Sequence, residues 1–453
     1  ECYCRGLGVE KSANKAAEWY EKAAEQEYAP AQYRLGCCYE DNDGKPYDAF
    51  KAAELFRKAA EKDEKEAQYR YGRCYEIGKG VSLDLNEAEK WYQKAADNGC
   101  ADAQYRLGAW YEKGNAVVPQ NKMRAKELHW NAALQEHAGA ELAYAICKEE
   151  ETLWKTAEEW YRKAQANPNA STEAVAEAKY RLGHLYEVIK RDRTTAVNFY
   201  ISAARAGHAG AQYSLGMWFK DGTTRTEDNK RQAATWFEKA AKQRHPEAEY
   251  WYGSCLMYGI GIPRDEREGF GCYLTSANQG VAAAMNAVGF CCETGCGTAK
   301  SMASAALWYQ KAAEKEHSRG LYHLGCCYES GLGVDFNLYK AFECYRKAEQ
   351  AAMSKGGDAE AEYKLGYCYE TGSGTEKSPS QAFSWYKKAA QKGYVDAEFE
   401  LANCYLNETG VKEDRTAAFS WCKKAAESGN IKAKLLLSVC YMAGLGVSQN
   451  LSR

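Results

Sequence analysis

The sequence has no surplus of either charge. Lys and Arg number 60 against 62 for Asp and Glu, a formal net charge of -2. A protein that grips phosphates carries a marked basic excess, so this balance argues against nucleic acid as a partner. Proline is scarce, at seven in 453 residues, while Ala, Glu, Lys and Tyr are abundant, which favours helix. No run of 18 apolar residues exists, so no segment reads as a membrane span. The opening residues, ECYCRGLGVE, do not form a signal peptide. The seven histidines are scattered without pattern, which leaves no His matched to a nucleophilic Cys. The paired glycines end helices rather than open them, so there is no phosphate-binding loop. Cys291, Cys292 and Cys296 are the best metal candidates, but they lack a CxxC pair and a nearby His. The chain therefore reads as non-catalytic, with no cofactor and no metal.

What fills the chain instead is one nine-residue pattern. It reads AQYRLGCCY at Ala31, AQYRYGRCY at Ala67, AQYRLGAWY at Ala103, AKYRLGHLY at Ala178, AQYSLGMWF at Ala211 and AEYKLGYCY at Ala361. The Gly of its LG pair serves as an anchor: Gly36, Gly72, Gly108, Gly183, Gly216, Gly253, Gly289, Gly325 and Gly366, with Ala145, Ala402 and Ser438 in register. A second motif, AxxWYxKAA, follows. Its Trp lies 19 residues beyond the anchor in most units (72 to 91, 366 to 385) and 17 before the next (91 to 108), a period of 36. Each unit is two short helices, A carrying the anchor and B carrying the Trp. Between them stands a Gly-rich loop, such as IGKGV at Ile77 or TGSGT at Thr371, where positive φ ends helix A. Length alone suggests about three domains, but a repeat grows in one dimension and overrides that count.

The expected fold class is all-α: an α/α solenoid, a right-handed superhelix of about twelve helix pairs, as one continuous domain over 1–453. Irregular units fall at about 140–200 and 345–360, where the spacing changes and a bend is expected. Gly6-Leu7-Gly8-Val9 and Gly444-Leu445-Gly446-Val447 are both A-to-B loops, so the sequence reads as cut inside a repeat at both ends.

On a helical wheel, anchor-relative positions -5, -1, +2 and +3 form an apolar stripe (Ala31, Leu35, Cys38, Tyr39), which faces the core. Positions -3, -2, +1 and +4 lie opposite. Position -3 is mostly Tyr, including Tyr69, Tyr105 and Tyr213; -2 is often basic; +4 is mostly Glu. Position +1 changes in every unit and includes Arg73, Ala109, His184, Met217, Phe290, Tyr367 and Asn403. Tyr and Arg are favoured interface anchors, so these ten residues are the candidate protein-binding positions. The blander reading has Tyr packed between helices A and the Glu and Arg as a solvated stripe.

Ten of the nineteen cysteines occupy +2, from Cys2 and Cys38 to Cys440, and Cys272, Cys344 and Cys422 replace helix B aromatics. Equivalent positions in stacked units lie roughly 10 Å apart, beyond the about 7 Å a disulfide spans. The ladder cannot cross-link itself, and a reduced cytoplasmic chain is the simpler account. The sequons at Asn169, Asn407 and Asn450 weigh little against it.

The whole pattern, AxYxLGxxYExGxGV followed by AxxWYxKAAxxG, resembles the Sel1-like repeat, a relative of the tetratricopeptide repeat. That resemblance implies adaptor and scaffold roles, as in the luminal subunit of the endoplasmic-reticulum ubiquitin ligase complex, activators of fungal chitin synthesis and bacterial host-interaction proteins. Ala23-Ala24, Ala95-Ala96 and Ala389-Ala390 stand where the cysteine-rich secreted subgroup has a Cys, which argues against a disulfide-stapled form and its penicillin-binding activity. The function expected is a non-catalytic scaffold that binds one or more proteins or peptide segments along the helix A face, without nucleic acid and without membrane insertion. The alternatives are a structural strut in a filament or cytoskeletal assembly and a luminal adaptor of an endoplasmic-reticulum ubiquitin ligase complex.

Overall fold

The computed structural model describes residues 2–5, 7–222 and 226–446. Glu1, Gly6, Val447 and Asn450 lie outside the described residues. Among the described residues the chain forms 25 α-helices and one short 3-10 helix, and no strand. It divides into two compact units, Glu1–Ala211 and Gln212–Arg453. Both consist of antiparallel A and B helices, most of 12 or 13 residues, such as Lys65–Ile77 with Leu85–Asp97 and Ala359–Thr371 with Pro379–Gln391.

Helix B begins where the sequence places a short polar side chain. The Asp84 carboxylate accepts the backbone N–H of Asn86 and of Glu87, and Asp48, Asn121, Asp265 and Asp414 cap their helices alike. Helix A ends at glycine. Gly78 is left-handed at φ 67°, and its N–H returns to the Cys74 carbonyl. The second loop glycine has a further job. At Gly80, φ is 73° and an added Cβ would collide with the Ala49 carbonyl of the preceding helix B. Glycine is needed there for close approach as well as for φ. The B-to-A turn also takes a left-handed residue, and it is not always Gly: Asp63, Glu136, Arg244 and Glu316 adopt φ between 55° and 64°.

The anchor seats helix A on helix B. A Cβ on Gly72 would lie 2.8 Å from the Tyr92 ring, one on Gly289 2.6 Å from Tyr309, and one on Gly366 2.6 Å from Tyr386. These rings are 0–1% exposed. The core stripe includes -5, -1 and +2 as expected, with Ala67, Tyr71 and Cys74 buried. It also includes -4, which the hydrophobic wheel does not assign to it: Gln68, Gln104, Glu249, Glu362 and Glu398 are buried. Cys2 is exposed and Cys147 half-buried, so the +2 cysteine core does not extend to them; Cys38, Cys74, Cys255, Cys291, Cys327, Cys368, Cys404 and Cys440 are buried. Burial pushes the Cys74 thiol up to about 11 and the Cys368 thiol up to about 12.

The irregular stretch 138–166 keeps the A/B plan with a different joint. Ala138–Glu150 passes to Trp154–Ala166 without the glycine loop, and Thr152 takes φ 59°. The insert near 353 forms the 3-10 turn Met353–Lys355.

The seating argument is testable with two glycines of opposite surroundings. Gly366→Ala should cost about 1–3 kcal/mol by overpacking against Tyr386. Gly271 lies inside helix Glu266–Asn278 with nothing within 4 Å of an added Cβ, and Gly271→Ala should stabilise by roughly 0.5–1 kcal/mol. Amide hydrogen exchange over 359–391 and 266–278 reads both effects.

Candidate interaction face

Helix A presents one side to its own helix B and to the neighbouring helices, and the positions left over define the candidate face. Three columns are engaged. The -3 tyrosines lie against helix B and, at Tyr105 and Tyr213, also against the residue that caps the next helix A, so they do pack between helices A. Tyr69 packs on Tyr92 at 5.7 Å between ring centroids, Tyr105 on His129 at 5.7 Å and His137 at 4.7 Å, and Tyr213 stacks on His245 at 4.8 Å. All three remain half-buried, so each keeps an open edge.

The +4 glutamates and -2 cations are neither a solvated stripe nor free binding groups. They form a ladder. The Tyr92 hydroxyl donates to Glu76 at 2.6 Å, and Arg106 of the next helix A donates to the same carboxylate from Nε at 3.1 Å. Arg70 reaches Glu40 at 2.9 Å and Arg181 reaches Glu149 at 2.9 Å. In the second unit, Tyr345 donates to Glu329 at 2.5 Å and Lys364 reaches it at 2.7 Å. Burial alone would raise the Glu76 carboxyl, but the bonds from Arg106 and Tyr92 hold it below its ordinary value. The rungs at Glu76, Glu149 and Glu329 each join one helix A, its helix B and the following helix A, while the Glu40 rung, beside Phe56, joins only the two helices A. Charge-assisted bonds to half-buried carboxylates are the stronger kind.

The buried -4 column makes a second set of ties. Gln68 Nε2 donates to the Ala60 carbonyl at 3.2 Å, and Gln68 Oε1 accepts from Asn98 Nδ2 at 2.9 Å. Gln104 repeats this with the Ala96 carbonyl at 3.0 Å and Gln135 Nε2 at 2.9 Å. Glu362 and Glu398 occupy the column as carboxylates, paired to Lys392 at 2.6 Å and Lys424 at 2.7 Å. These ties pair polar groups that would be costly to bury alone, while Glu362 Oε2 and Glu398 Oε2 are buried without a hydrogen bond of their own. A wheel drawn on hydrophobicity passes over them because Gln and Glu score as surface residues. Spacing could have found some of them, since Gln68, Gln104 and Glu362 each have a polar partner 30 or 31 residues on.

With these columns accounted for, +1 is the position of helix A with the least structural duty. His184 is exposed, its Nδ1 3.9 Å from Glu149 Oε1. Phe290 and Tyr367 are 42% and 41% exposed, large for aromatic rings. Arg73, Ala109, Met217 and Asn403 are half-buried; Met217 leans on the cluster around Phe237, and Asn403 donates to Glu400 at 3.0 Å. Arg73, Ala109 and His184 share their register in the first unit, and Met217, Phe290, Tyr367 and Asn403 share it in the second.

One rung is broken. His129 stands where other units have Tyr, fully buried, with neither ring nitrogen hydrogen-bonded; Nε2 lies 3.6 Å from Glu112 Oε2. The next -2 residue is Ala143, so Glu112 also lacks its cation. Burial holds the His129 imidazole below its ordinary value, against the pull of Glu112. A His of lowered folded pKa binds fewer protons folded than unfolded. Its share of stability is therefore present above the unfolded pKa of about 6.5 and is lost as pH falls through and below it. His129→Tyr should restore the rung, raise stability by roughly 1 kcal/mol and flatten the loss between pH 7.5 and 5.5. Urea titrations of both proteins at the two pH values measure this.

An all-α stack of A/B pairs joined by recurring rungs is an α/α repeat solenoid. More particularly, the Sel1 repeat family model matches twelve segments: 1–28, 29–64, 65–100, 101–137, 176–208, 209–245, 246–281, 282–317, 318–352, 359–394, 395–430 and 431–453. The chain belongs to the Sel1 repeat family, whose members are in general protein-interaction scaffolds. Among solved structures it is similar to c5321, described as a protective antigen of uropathogenic Escherichia coli with an SLR fold. The identity is 30%, the TM-score 0.57, and the match covers 96% of this chain and 84% of that one. Among curated proteins it is similar to the chitin synthase regulator SKT5 of Saccharomyces cerevisiae, 30% identical over 166 residues, and to the chitin synthase regulatory factor 3 of Schizosaccharomyces pombe, 31% identical over 145. It is also 29% identical over 132 residues to the SKT5 of Malassezia restricta. These matches cover 35%, 30% and 29% of this chain but only 23%, 16% and 9% of the fungal proteins. No described helix is long and apolar enough to cross a membrane.

Proposed function

We propose that the protein is a non-catalytic scaffold that holds partner proteins or peptide segments on its helix A face, read by the varied +1 column and flanked by the open edges of the -3 tyrosines. The observation that carries this reading is the exposure of Phe290 and Tyr367. Both are large rings that join neither a buried cluster nor a rung. Aromatic side chains with no packing duty are the usual anchors of an interface. The names of the fungal relatives, regulators rather than enzymes, agree with a binding role. Eight of the +2 thiols are buried, with Cys74 and Cys368 high in pKa, which supports a reducing, cytoplasmic setting.

Met217→Ala, Phe290→Ala and Tyr367→Ala together should reduce capture of the native partner at least about tenfold, the loss of two or three interface anchors, with far-UV circular dichroism unchanged. Quantitative pull-down of the wild-type and triple-variant chains from the native cell measures it. Undiminished capture would place binding elsewhere, and lateral contacts through helix B in the native assembly would favour the strut. Glycan at Asn169 or Asn407, both exposed, would favour the luminal adaptor.

A further inference from the structure

One rung of the second unit carries the wrong charge. At Glu370 the rung starts as usual, with the Tyr386 hydroxyl donating to Oε2 at 2.6 Å. One repeat earlier the equivalent rung is completed by Lys364, whose Nζ stands 2.7 Å from Glu329 Oε2 and 5.8 Å from the Tyr345 ring centroid. The residue in register with Lys364 is Glu400: each lies two before its anchor, Gly366 and Ala402. Two carboxylates thus stand where, one repeat earlier, a carboxylate meets a cation. Asp396 and Glu400 also act on the half-buried Tyr363 ring.

No described cation pairs directly with these carboxylates. Among the described residues, none of Glu370, Asp396 and Glu400 has a Lys, Arg or His nitrogen within 4.0 Å. Their partners are neutral: Asn403 Nδ2 donates to Glu400 at 3.0 Å and Asn430 Nδ2 to Asp396 at 3.0 Å. Burial, and then the field of Glu370, push the Glu400 carboxyl up against the bond from Asn403, and Lys432 pulls it down only from a distance. Aromatic surface lies alongside. Tyr363 packs on Tyr394 at 5.1 Å, and Tyr367 is 41% exposed.

We propose that this surface, between helices Ala359–Thr371 and Val395–Leu406, receives a lysine or arginine side chain from a basic segment of a partner protein. The incoming cation occupies the place that Lys364 fills one repeat earlier. It gains two carboxylates and the edge of a tyrosine array, the combination that binds ammonium and guanidinium groups best. The charge complementarity selects the partner: an acidic or purely apolar segment would leave the carboxylates repelling each other. This inference rests on the helix A face being the binding face.

The test uses the intact chain and two fluorescein-labelled decapeptides of Gly and Ser, one carrying three Lys and the other three Glu, followed by anisotropy. The Lys peptide should bind and the Glu peptide should not. Glu400→Lys, and separately Glu370→Gln with Glu400→Gln, should weaken the Lys peptide about tenfold or more, the effect of losing one well-placed ion pair. Glu227→Gln with Asp228→Gln, two exposed acids elsewhere, should leave it unchanged. Glu400→Lys should also raise the thermal midpoint, because it completes the rung; this readout does not depend on peptide binding. The proposal is overturned if the Lys peptide fails to bind the wild-type chain, or binds the Glu400 variants equally well. If that happens while the Met217, Phe290 and Tyr367 variant still loses its native partner, the scaffold reading stands and only the cationic site falls.

Discussion

Every described pair with a glycine anchor depends on an aromatic or imidazole ring of helix B resting where the anchor of helix A has no side chain. The contact is steric before it is energetic. With 2.6 to 2.8 Å between an added Cβ and the rings at Gly72, Gly289 and Gly366, a side chain at those anchors would push the ring away. The seated ring then sets the polar contacts around it. Its hydroxyl is aimed at the +4 Glu of its own helix A, and that carboxylate is in turn placed for a cation from the next helix A. Packing, hydrogen bond and ion pair are consecutive consequences of one close approach. Where the anchor is Ala402, the facing residue shrinks to Cys422 and both are fully buried, which is the complementary solution to the same constraint.

This chain of contacts also explains why so little of helix A is free. The -5, -1 and +2 positions are in the core with the half-buried +3 tyrosines such as Tyr75 and Tyr111 packed beside them, -4 ties neighbouring helices through buried amides and carboxylates, and -2 and +4 meet wherever a rung is complete. What remains is +1 and the open edge of the -3 tyrosines. Stacking holds the backbone of these positions rigidly, so a partner meets a preformed surface and pays little ordering entropy. The +1 residues differ from repeat to repeat: Ser254 is buried against Tyr273 and Met217 leans on the Phe237 cluster, while Phe290 and Tyr367 stay exposed; on the proposed reading, recognition falls to the exposed ones.

The repeat, the two helices per unit, the glycine loop and the buried +2 cysteines were all legible in the sequence, because period and small-residue spacing report packing directly. The buried Gln68 and Glu362 were not. A hydrophobic wheel treats an amide and a carboxylate as outward-facing, and only the partner 30 residues away reveals that they are paired inside. The rungs escaped for a related reason. Glu76, Tyr92 and Arg106 look unrelated along the chain, 16 and 30 residues apart, and their meeting depends on how successive units stack. The helix pair at 138–166 lies outside the matched family segments. Yet Ala145 and Tyr161 share a buried cluster and Arg181 closes a rung on Glu149, so its contacts follow the same grammar where its spacing does not.

The central claim is that helix A divides into positions that hold the stack and positions that read a partner. A saturation library of the whole chain, scored in the same cells for protein abundance and for partner capture, tests it most directly. The account predicts that substitutions at the anchor, at -4 and at the rung residues lower abundance and capture together, while those at +1 lower capture at constant abundance. Abundance losses at +1 as large as those at the anchor, or capture losses confined to the outer side of helix B, would contradict it.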